Sequence, residues 1–592
     1  MTKGKVTRIF DILERQESRF PRKDALSKRR DNGNWETFST KEFVEHANQL
    51  SCGFLELGLK KGDKVATISY NQPEWNFVDF GMLQAGIVHV PLYSTLGKRE
   101  IAYILNDSET KVIFAENEEL ADRILAVKDE LPNLQYVYTF NKVDKNEVYY
   151  WKNLLKDDKN LLNKISEIKK DISTDDLATL IYTSGTTGDP KGVMLTHNNI
   201  VSNVKACSKI MPVGKRHHVL SFLPLSHVFE RMVSYLYMYV GSGIYYAQSI
   251  DTISDDLKDV KPHFFSTVPR LLEKVYDKIY KKGLSLSGIQ KSLFFWALNL
   301  GLEYDFKGKG LIYKMKLAVA NKIIFSKWRE ALGGNVIGVV SGGAALQPRL
   351  AKVFWAAKIP VVEGYGLTET SPVIAVNRFD PKYCRFGTVG QPIEGVEVDI
   401  APDGEIKTRG PHIMKGYYNK PDKTKEAIDE KGYFYTGDIG ELDENNFLKI
   451  TDRKKEMFKT SGGKYIAPQA VENKFKESPF IEQVLITGEN QRFPAALIVP
   501  NFEHLKNWMQ QKGIQQDSNE NIVKKQEIID RIQREVDKLN ENFSQYEKIK
   551  KFALLPDEWS VDAGELTHTQ KLKRRIILDK YKEYWEPLYE EQ

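Results

Sequence analysis

The chain has 592 residues, far beyond the roughly 250–300 at which one hydrophobic core stops growing, so at least two domains are expected. A composition of 41% hydrophobic and 28% charged residues excludes global disorder. A net charge of +6, from 86 basic and 80 acidic side chains, is near balance and does not point to nucleic-acid binding, although local basic patches remain open to phosphates or anionic lipid.

The first half alternates helical and strand-like segments. Lys41 to Leu57 has helical periodicity with Gly58 as a stop, Lys64–Ser69 is β-rich, Trp75 to Ala85 is helical, and Val88–Leu92 and Lys111–Ala115 read as strands. This alternation predicts α/β layering around a largely parallel sheet. The region just after Asn141 has no clear period and is left unassigned, and Leu154 to Lys170 reads as a mostly solvated helix. Met232 to Ile250 carries no charge and approaches the ~20 residues of a bilayer span. Gly241-Ser242-Gly243 interrupts it and its tyrosines are scattered, so a buried helix, a turn and a buried strand are expected instead. Val268 to Ala331 is a long helical block. After Tyr417 the texture changes, and a smaller domain is expected from Asp452, with strands at Val484–Thr487 and Ala495–Val499 and a helix around Lys524 to Leu539. The cysteines, Cys52, Cys207 and Cys384, are far apart and fit neither a disulfide framework nor a zinc site, so a reducing, cytoplasmic compartment is expected. Met1–Lys5 leads into a charged amphipathic stretch, not an apolar signal core.

The most informative stretch is Tyr182-Thr183-Ser184-Gly185-Thr186-Thr187-Gly188-Asp189-Pro190-Lys191-Gly192. Its glycines let the backbone curl tightly, and its amides, hydroxyls and lysine are what a polyphosphate needs. Leu180-Ile181 before it and Val193–Thr196 after it read as strands. Pro190 precedes Lys191 and Gly192 follows it, so the Walker spacing fails and an ordinary P-loop is rejected. Alone, the loop is equally well a solvated turn; its partners along the chain decide. They are Leu223–Arg231 with His227 at a strand–helix junction, the small-residue turn Ser341–Ala345, Glu363-Gly364-Tyr365-Gly366-Leu367-Thr368-Glu369, Tyr435-Thr436-Gly437-Asp438, and Leu566–Lys571.

With these motifs in order, nearly the whole chain resembles the acyl-adenylate-forming superfamily, which includes acyl-CoA synthetases, luciferases and peptide-synthetase adenylation domains. Asp452–Lys464, Val268-Pro269-Arg270 before a helical insert, and Leu566-Thr567-x-Thr569-x-Lys571 make it most similar to long-chain fatty acid–CoA ligases. The resemblance implies a large N-terminal domain of layered sheets and helices, residues 1–451, and a smaller mobile C-terminal α+β domain, residues 452–592, rotating about a hinge near Lys455. It implies ATP, Mg²⁺ and CoA as cofactor and co-substrates and a long-chain fatty acid as substrate.

Residue roles follow from the same resemblance. Thr183, Ser184, Gly185, Thr186, Thr187, Gly188 and Lys191 would hold phosphates; Gly343, Ala344, Gly364, Tyr365 and Gly366 would pack on the nucleotide, with the Tyr365 ring on adenine. Asp438 and Arg453 would serve the ribose. Thr368 would contact the α-phosphate, and Glu369 with Thr183 would hold the metal, which one carboxylate can do beside phosphate and water oxygens. His227 would line the carboxylate pocket. Lys571 would be the adenylation lysine; His568 stands where many relatives have proline. Lys455 and Lys459 are candidate ATP contacts, and Gly462 and Gly463 would line the pantetheine passage. The segment Val233 to Tyr246 and Phe264-Phe265 are candidates for an acyl tunnel or for plain core. The helical insert is a candidate for a peripheral contact with the inner membrane face. Three readings stay open beside the ligase: an acyl-AMP ligase or acyl-carrier-protein loading enzyme, an inactive lipid- or nucleotide-binding relative, and luciferase-type oxidation. The oligomeric state, monomer or homodimer, is also open.

Overall fold

Two large sheets carry the N-terminal domain in the computed structural model, which describes residues 5–30, 32–183, 190–249, 251–567 and 571–590. In the eight-stranded sheet the spatial order is 416–417, 191–196, 177–183, 88–92, 64–68, 112–115, 136–139 and 148–150. Strands 64–68, 88–92, 112–115, 136–139, 148–150 and 177–183 run parallel, and Lys191–Thr196 returns antiparallel to Leu177–Thr183. The nine-stranded sheet is parallel through Leu26–Arg29, Gly243–Tyr246, His218–Ser221, Phe264–Thr267, Gly338–Ser341 and Val361–Gly366. Its edges, Trp35–Phe38 at one end and Val373–Val376 with Gln391–Pro392 at the other, are antiparallel. This is the α/β layering expected from the alternating pattern.

Helix Pro73–Gln84 is buried along its whole length, and ten of the thirteen residues of Val228–Val240 are buried. Such helices are apolar on every side because protein surrounds them. A buried polar cluster joins the two helices. Asp79 Oδ1 accepts from Arg231 Nη2 at 2.5 Å and pairs with His89 Nδ1 at 2.7 Å, and Tyr235 OH donates to Asp79 Oδ2 at 2.5 Å. The uncharged stretch from Met232 is therefore a buried helix that ends at Gly241, in the left-handed region at φ +80°, followed by the strand Gly243–Tyr246. Among the described residues no helix is long and apolar enough to cross a membrane.

A four-stranded sheet follows, in the order Glu397–Ile400, Glu405–Arg409, Phe434–Leu442 and Leu448–Arg453. The smaller C-terminal domain has a core of its own, with buried members from Phe458 to Ile577. It holds the sheet Ile481–Thr487, Ala495–Pro500 and Lys551–Leu554, packed by helices that include Gln526–Asn540. That helix buries Ile528, Ile532, Val536 and Leu539 at helical spacing.

Three sequence readings need adjustment. The unassigned region contains a short edge strand, Val148–Tyr150, whose three residues are too few to show a period. The solvated helix starts only at Lys159, where Asp158 caps it by accepting from the Asn160 and Leu161 amides. Gly364, Tyr365 and Gly366 do not follow a strand but complete it, pairing with Val376, Ala375 and Val373.

Candidate active site

One cavity of about 1650 Å³ lies where the two domains meet, and it collects most of the predicted site residues. Thr183, Lys191, His227, Gly343, Ala344, Gly364, Tyr365, Gly366, Thr368, Glu369, Asp438, Arg453, Lys455 and Lys571 all line it. Ser184, Gly185, Thr186, Thr187 and Gly188, like His568, fall outside the described residues.

Strand pairing fixes the phosphate-loop corner. Thr183 and Lys191 are direct partners across the antiparallel pair, so the two ends of the motif are held side by side. Tyr417 arrives from a neighbouring strand beside Val193. Its ring lies 4.8 Å from Lys191 Nζ and its OH donates to Glu369 Oε1 at 2.9 Å. Burial pushes the Lys191 ammonium below the ordinary lysine range, Lys455 adds repulsion, and Glu369 opposes both. Lys191, Lys455 and Glu369 thus line one cavity close enough to influence one another, with Lys423 and Glu426 also acting on Lys191.

The opposite wall is built from Asp438 and its partners. Asp438 and Arg453 face each other across strands Phe434–Leu442 and Leu448–Arg453, and Arg453 Nε donates to Asp438 Oδ1 at 3.0 Å. Tyr365 OH donates to Asp438 Oδ2 at 2.6 Å, which fixes the edge of the Tyr365 ring. Burial and the Asp438 charge hold that phenol well above its ordinary range, so it stays a donor. Gly343 adopts φ +83°, and a Cβ there would meet nothing closer than Val268 Cγ1 at 3.9 Å, so backbone conformation, not crowding, requires glycine. Gly366 differs from the expectation of close ligand approach. A Cβ there would lie 1.7 Å from the Pro372 carbonyl oxygen, so its glycine is required by the protein's own packing.

His227 caps the helix Val228–Val240, with Nδ1 accepting from the Phe229 amide at 3.1 Å. Burial, and secondarily Lys571, push its pKa down to about 4, so the imidazole is neutral at physiological pH. The folded value lies below the unfolded 6.5, so the unfolded chain takes up a proton first and stability drains as pH falls from 6.5 toward 4. In His227→Gln that drain is expected to shrink, which denaturant unfolding at several pH values across the window reads directly.

Lys571 enters the cavity from the C-terminal domain. Its amide donates to Thr567 Oγ1 at 3.0 Å, its carbonyl accepts from the Thr567 amide at 2.8 Å, and Leu566 bridges to Leu572. Desolvation and the nearby Arg453 lower its pKa, while Asp438, Glu456 and Glu369 pull it back up. The next anchor is Arg574. It donates to Glu456 Oε2 at 3.1 Å and the Ile486 carbonyl at 3.0 Å, and it forms an ion pair with Glu472. Sequence reasoning missed Arg574, Tyr417 and Glu363. Glu363 is buried, its pKa pushed up to about 8, and it accepts from the Leu346 amide at 2.9 Å, pinning the turn that bears Gly343 and Ala344. Only its place one residue before Gly364 gave any signal.

Lys459, Gly462 and Gly463 are not brought to the cavity. Phe458 is buried in the C-terminal core, so the strand pleat turns Lys459 outward over the Tyr465 ring, and the two glycines sit exposed in the turn beyond. The candidate acyl-tunnel residues divide. Val233, Leu236, Tyr237 and Phe264 line the cavity with Met232, Val340 and Val376. Phe265 belongs to a separate core, and Tyr235 and Tyr246 are engaged by Asp79 and Asn76.

Comparison with known proteins identifies the family. Residues 13–418 match the AMP-binding enzyme family, and residues 456–592 match the AMP-binding enzyme C-terminal domain. The long-chain-fatty-acid–CoA ligase FadD15 of Mycobacterium bovis is 33% identical over 570 residues, covering 95% of this chain and 94% of that protein. Human long-chain-fatty-acid–CoA ligase 1 is 31% identical, covering 99% and 87%. The chain therefore belongs to the AMP-binding enzymes, in the branch of the long-chain-fatty-acid–CoA ligases. In fold it is similar to the adenylation domain of a carboxylate reductase from Mycobacterium chelonae, with a TM-score of 0.77, 21% identity and coverage of 99% and 92%.

Proposed function

We propose that this enzyme activates a long-chain fatty acid with ATP, forming an acyl-adenylate and pyrophosphate, and then transfers the acyl group to CoA with release of AMP. The observation that carries the reading is the convergence of Lys571, Lys191 and Glu369 on one cavity that also has an apolar wall. In the first half-reaction a carboxylate oxygen attacks the α-phosphorus, and the bond to the pyrophosphate oxygen breaks. Two anions must meet, so the main task is charge neutralisation, which Lys571 and Lys191, both lining the cavity, would supply. Holding both reactants in line supplies much of the rest. In the second half the CoA sulfur attacks the acyl carbonyl carbon and AMP leaves, so no protein nucleophile is needed. The thiols of Cys52, Cys207 and Cys384 are all buried.

Tyr365, Gly343 and Ala344 would frame the adenine and Asp438 the ribose, with Thr368 at the α-phosphate and His227 at the acyl carboxylate. Glu369 and Thr183 suit Mg²⁺, since Glu369 Oε2 takes no hydrogen bond among the described residues. When bound, the ion would neutralise phosphate charge. Residues 1–451 and 452–592 would be the moving bodies, hinged near Lys455, so that Lys571 withdraws as Lys459, Gly462 and Gly463 approach the passage for CoA. Such motion would have to break the ion pairs of Arg270 with Glu482 and Lys281 with Glu503, which join the insert to the C-terminal domain. We place the enzyme in the cytoplasm, peripheral at the inner membrane face.

Two measurements test this reading. Acyl-CoA formation from acids of graded length, with ATP, Mg²⁺ and CoA, is expected to rise toward long chains; turnover only with short acids would sink the long-chain reading, and transfer only to a carrier protein would favour a loading enzyme. Asp438→Asn keeps an acceptor for Tyr365 but removes the charge facing Arg453. A hydrogen bond to a charged group contributes about 1.5–3 kcal/mol, so the KM for ATP is expected to rise about 10–100-fold. An unchanged KM would remove Asp438 from the ribose site.

A further inference from the structure

We propose that the helix Leu311–Ala320, with the turn that continues it to Phe325, is the surface on which this enzyme docks onto an anionic lipid bilayer. The proposal rests on the long-chain, membrane-peripheral reading above and names the contact face that reading leaves open. Leu311 is 77% exposed, Ile312 72%, Met315 65%, Val319 52% and Ile323 37%. Helical geometry puts these five on one side. The opposite side is already occupied. Ala320, Asn321 and Phe325 are buried, Asn321 Nδ2 donates to the Ala356 carbonyl at 2.8 Å, and Tyr313 OH donates to the Leu300 carbonyl at 2.6 Å. The helix is thus fixed by its inner face, and the outer apolar face cannot turn inward to the core. Single exposed apolar side chains are ordinary, but five on one helix face mark a contact surface.

Charge selects the occupant. No Asp or Glu occurs between Phe306 and Arg329. Lys307, Lys314, Lys316, Lys322 and Lys327 are exposed there, and none has an ion pair among the described residues. An apolar strip edged by lysines is complementary to an anionic headgroup layer over acyl chains. Two copies of the same face would instead oppose lysine to lysine. Because no described helix is long enough to span, the helix would lie in the plane of the interface. A long-chain acid partitions into that layer, so docking would hold the enzyme at its substrate.

The test is flotation of the full-length protein with phosphatidylcholine vesicles, with and without phosphatidylglycerol. The wild-type protein is expected to float with phosphatidylglycerol-containing vesicles and to be released by high salt. Binding is expected to be lost in Ile312→Ser/Met315→Ser/Val319→Ser and in Lys314→Glu/Lys316→Glu. Both variants are expected to keep wild-type acyl-CoA formation in vesicle-free solution, which reads the ligase activity separately from docking. No flotation of the wild type, or flotation of the variants equal to it, would overturn the proposal. So would a wild-type dimer in sedimentation that the apolar variant dissociates without a change in vesicle binding, since the face would then join two copies. Loss of vesicle-free turnover in the wild type would strike the ligase reading and leave the flotation result standing.

Discussion

Lys571→Ala is expected to slow ATP-dependent adenylation by about 10²–10³-fold, the usual effect of removing one preorganised donor to developing charge. Transfer of a pre-formed acyl-adenylate to CoA should continue near its wild-type rate. The asymmetry follows from the geometry. Lys571 lines the same cavity as Lys191 and Glu369, yet it belongs to the C-terminal domain, where Thr567 pairs with it and Leu566 bridges to Leu572. Desolvation and Arg453 lower the Lys571 pKa, and the carboxylates of Asp438, Glu456 and Glu369 oppose that by favouring the charged form. The second half-reaction begins from an activated anhydride and builds no comparable charge. Both half-reactions are measurable separately, the first by pyrophosphate release and the second by thioester formation from acyl-AMP. Equal loss in the two would mean that Lys571 holds the fold or the acyl group instead.

Arg574→Ala is expected to destabilise the C-terminal domain by about 3–5 kcal/mol, the effect of breaking a buried ion pair from one side. Arg574 is 14% exposed and Glu472 4%, so the carboxylate left behind has little access to water. Burial already raises the Glu472 pKa, with Arg574 as the chief opposing influence, so the variant should lose further stability as pH rises and Glu472 is forced to ionise. Arg574 also ties the segment after Lys571 to Glu456 and to the Ile486 carbonyl, so adenylation should fall with stability. Arg574→Lys keeps the charge and should restore stability more than adenylation, because one ammonium cannot replace the guanidinium's separate donors. Denaturant unfolding and pyrophosphate release, run on both variants, read the two effects. Unchanged unfolding in the alanine variant would show the pair to be dispensable.

Much of this site was legible in the sequence because its parts are local. The loop before Lys191 and the turn at Gly343 announce themselves by glycine, hydroxyl and charge spacing, whereas the role of Lys571 is implied only by the resemblance of its motif, and the strand that Gly364, Tyr365 and Gly366 complete shows only in the fold. What stayed hidden is what tertiary packing creates. Tyr417 looks like a strand-end tyrosine until Glu369 and Lys191 meet it. Arg574 looks like one basic residue in a basic tail until Glu472 and Glu456 close on it. Gly366 shows the converse, a glycine read as room for a ligand that is instead room for the Pro372 carbonyl. The aromatic segment after Met232 was ambiguous for the same reason. The break at Gly241-Ser242-Gly243 makes it a buried helix, a turn and a strand, but only the fold decides that Leu236 and Tyr237 face the cavity while Tyr235 serves Asp79.

The fatty carboxylate is expected to attack the α-phosphorus within the cavity shared by Lys571, Lys191 and Glu369. The most direct measurement uses a long-chain acid labelled with heavy oxygen in both carboxylate positions, turned over with ATP, Mg²⁺ and CoA, with the products read by mass spectrometry. One labelled oxygen is expected in each AMP and none in pyrophosphate. Label in inorganic phosphate with ADP as the nucleotide product, or acyl-CoA formed with unlabelled AMP, would contradict it.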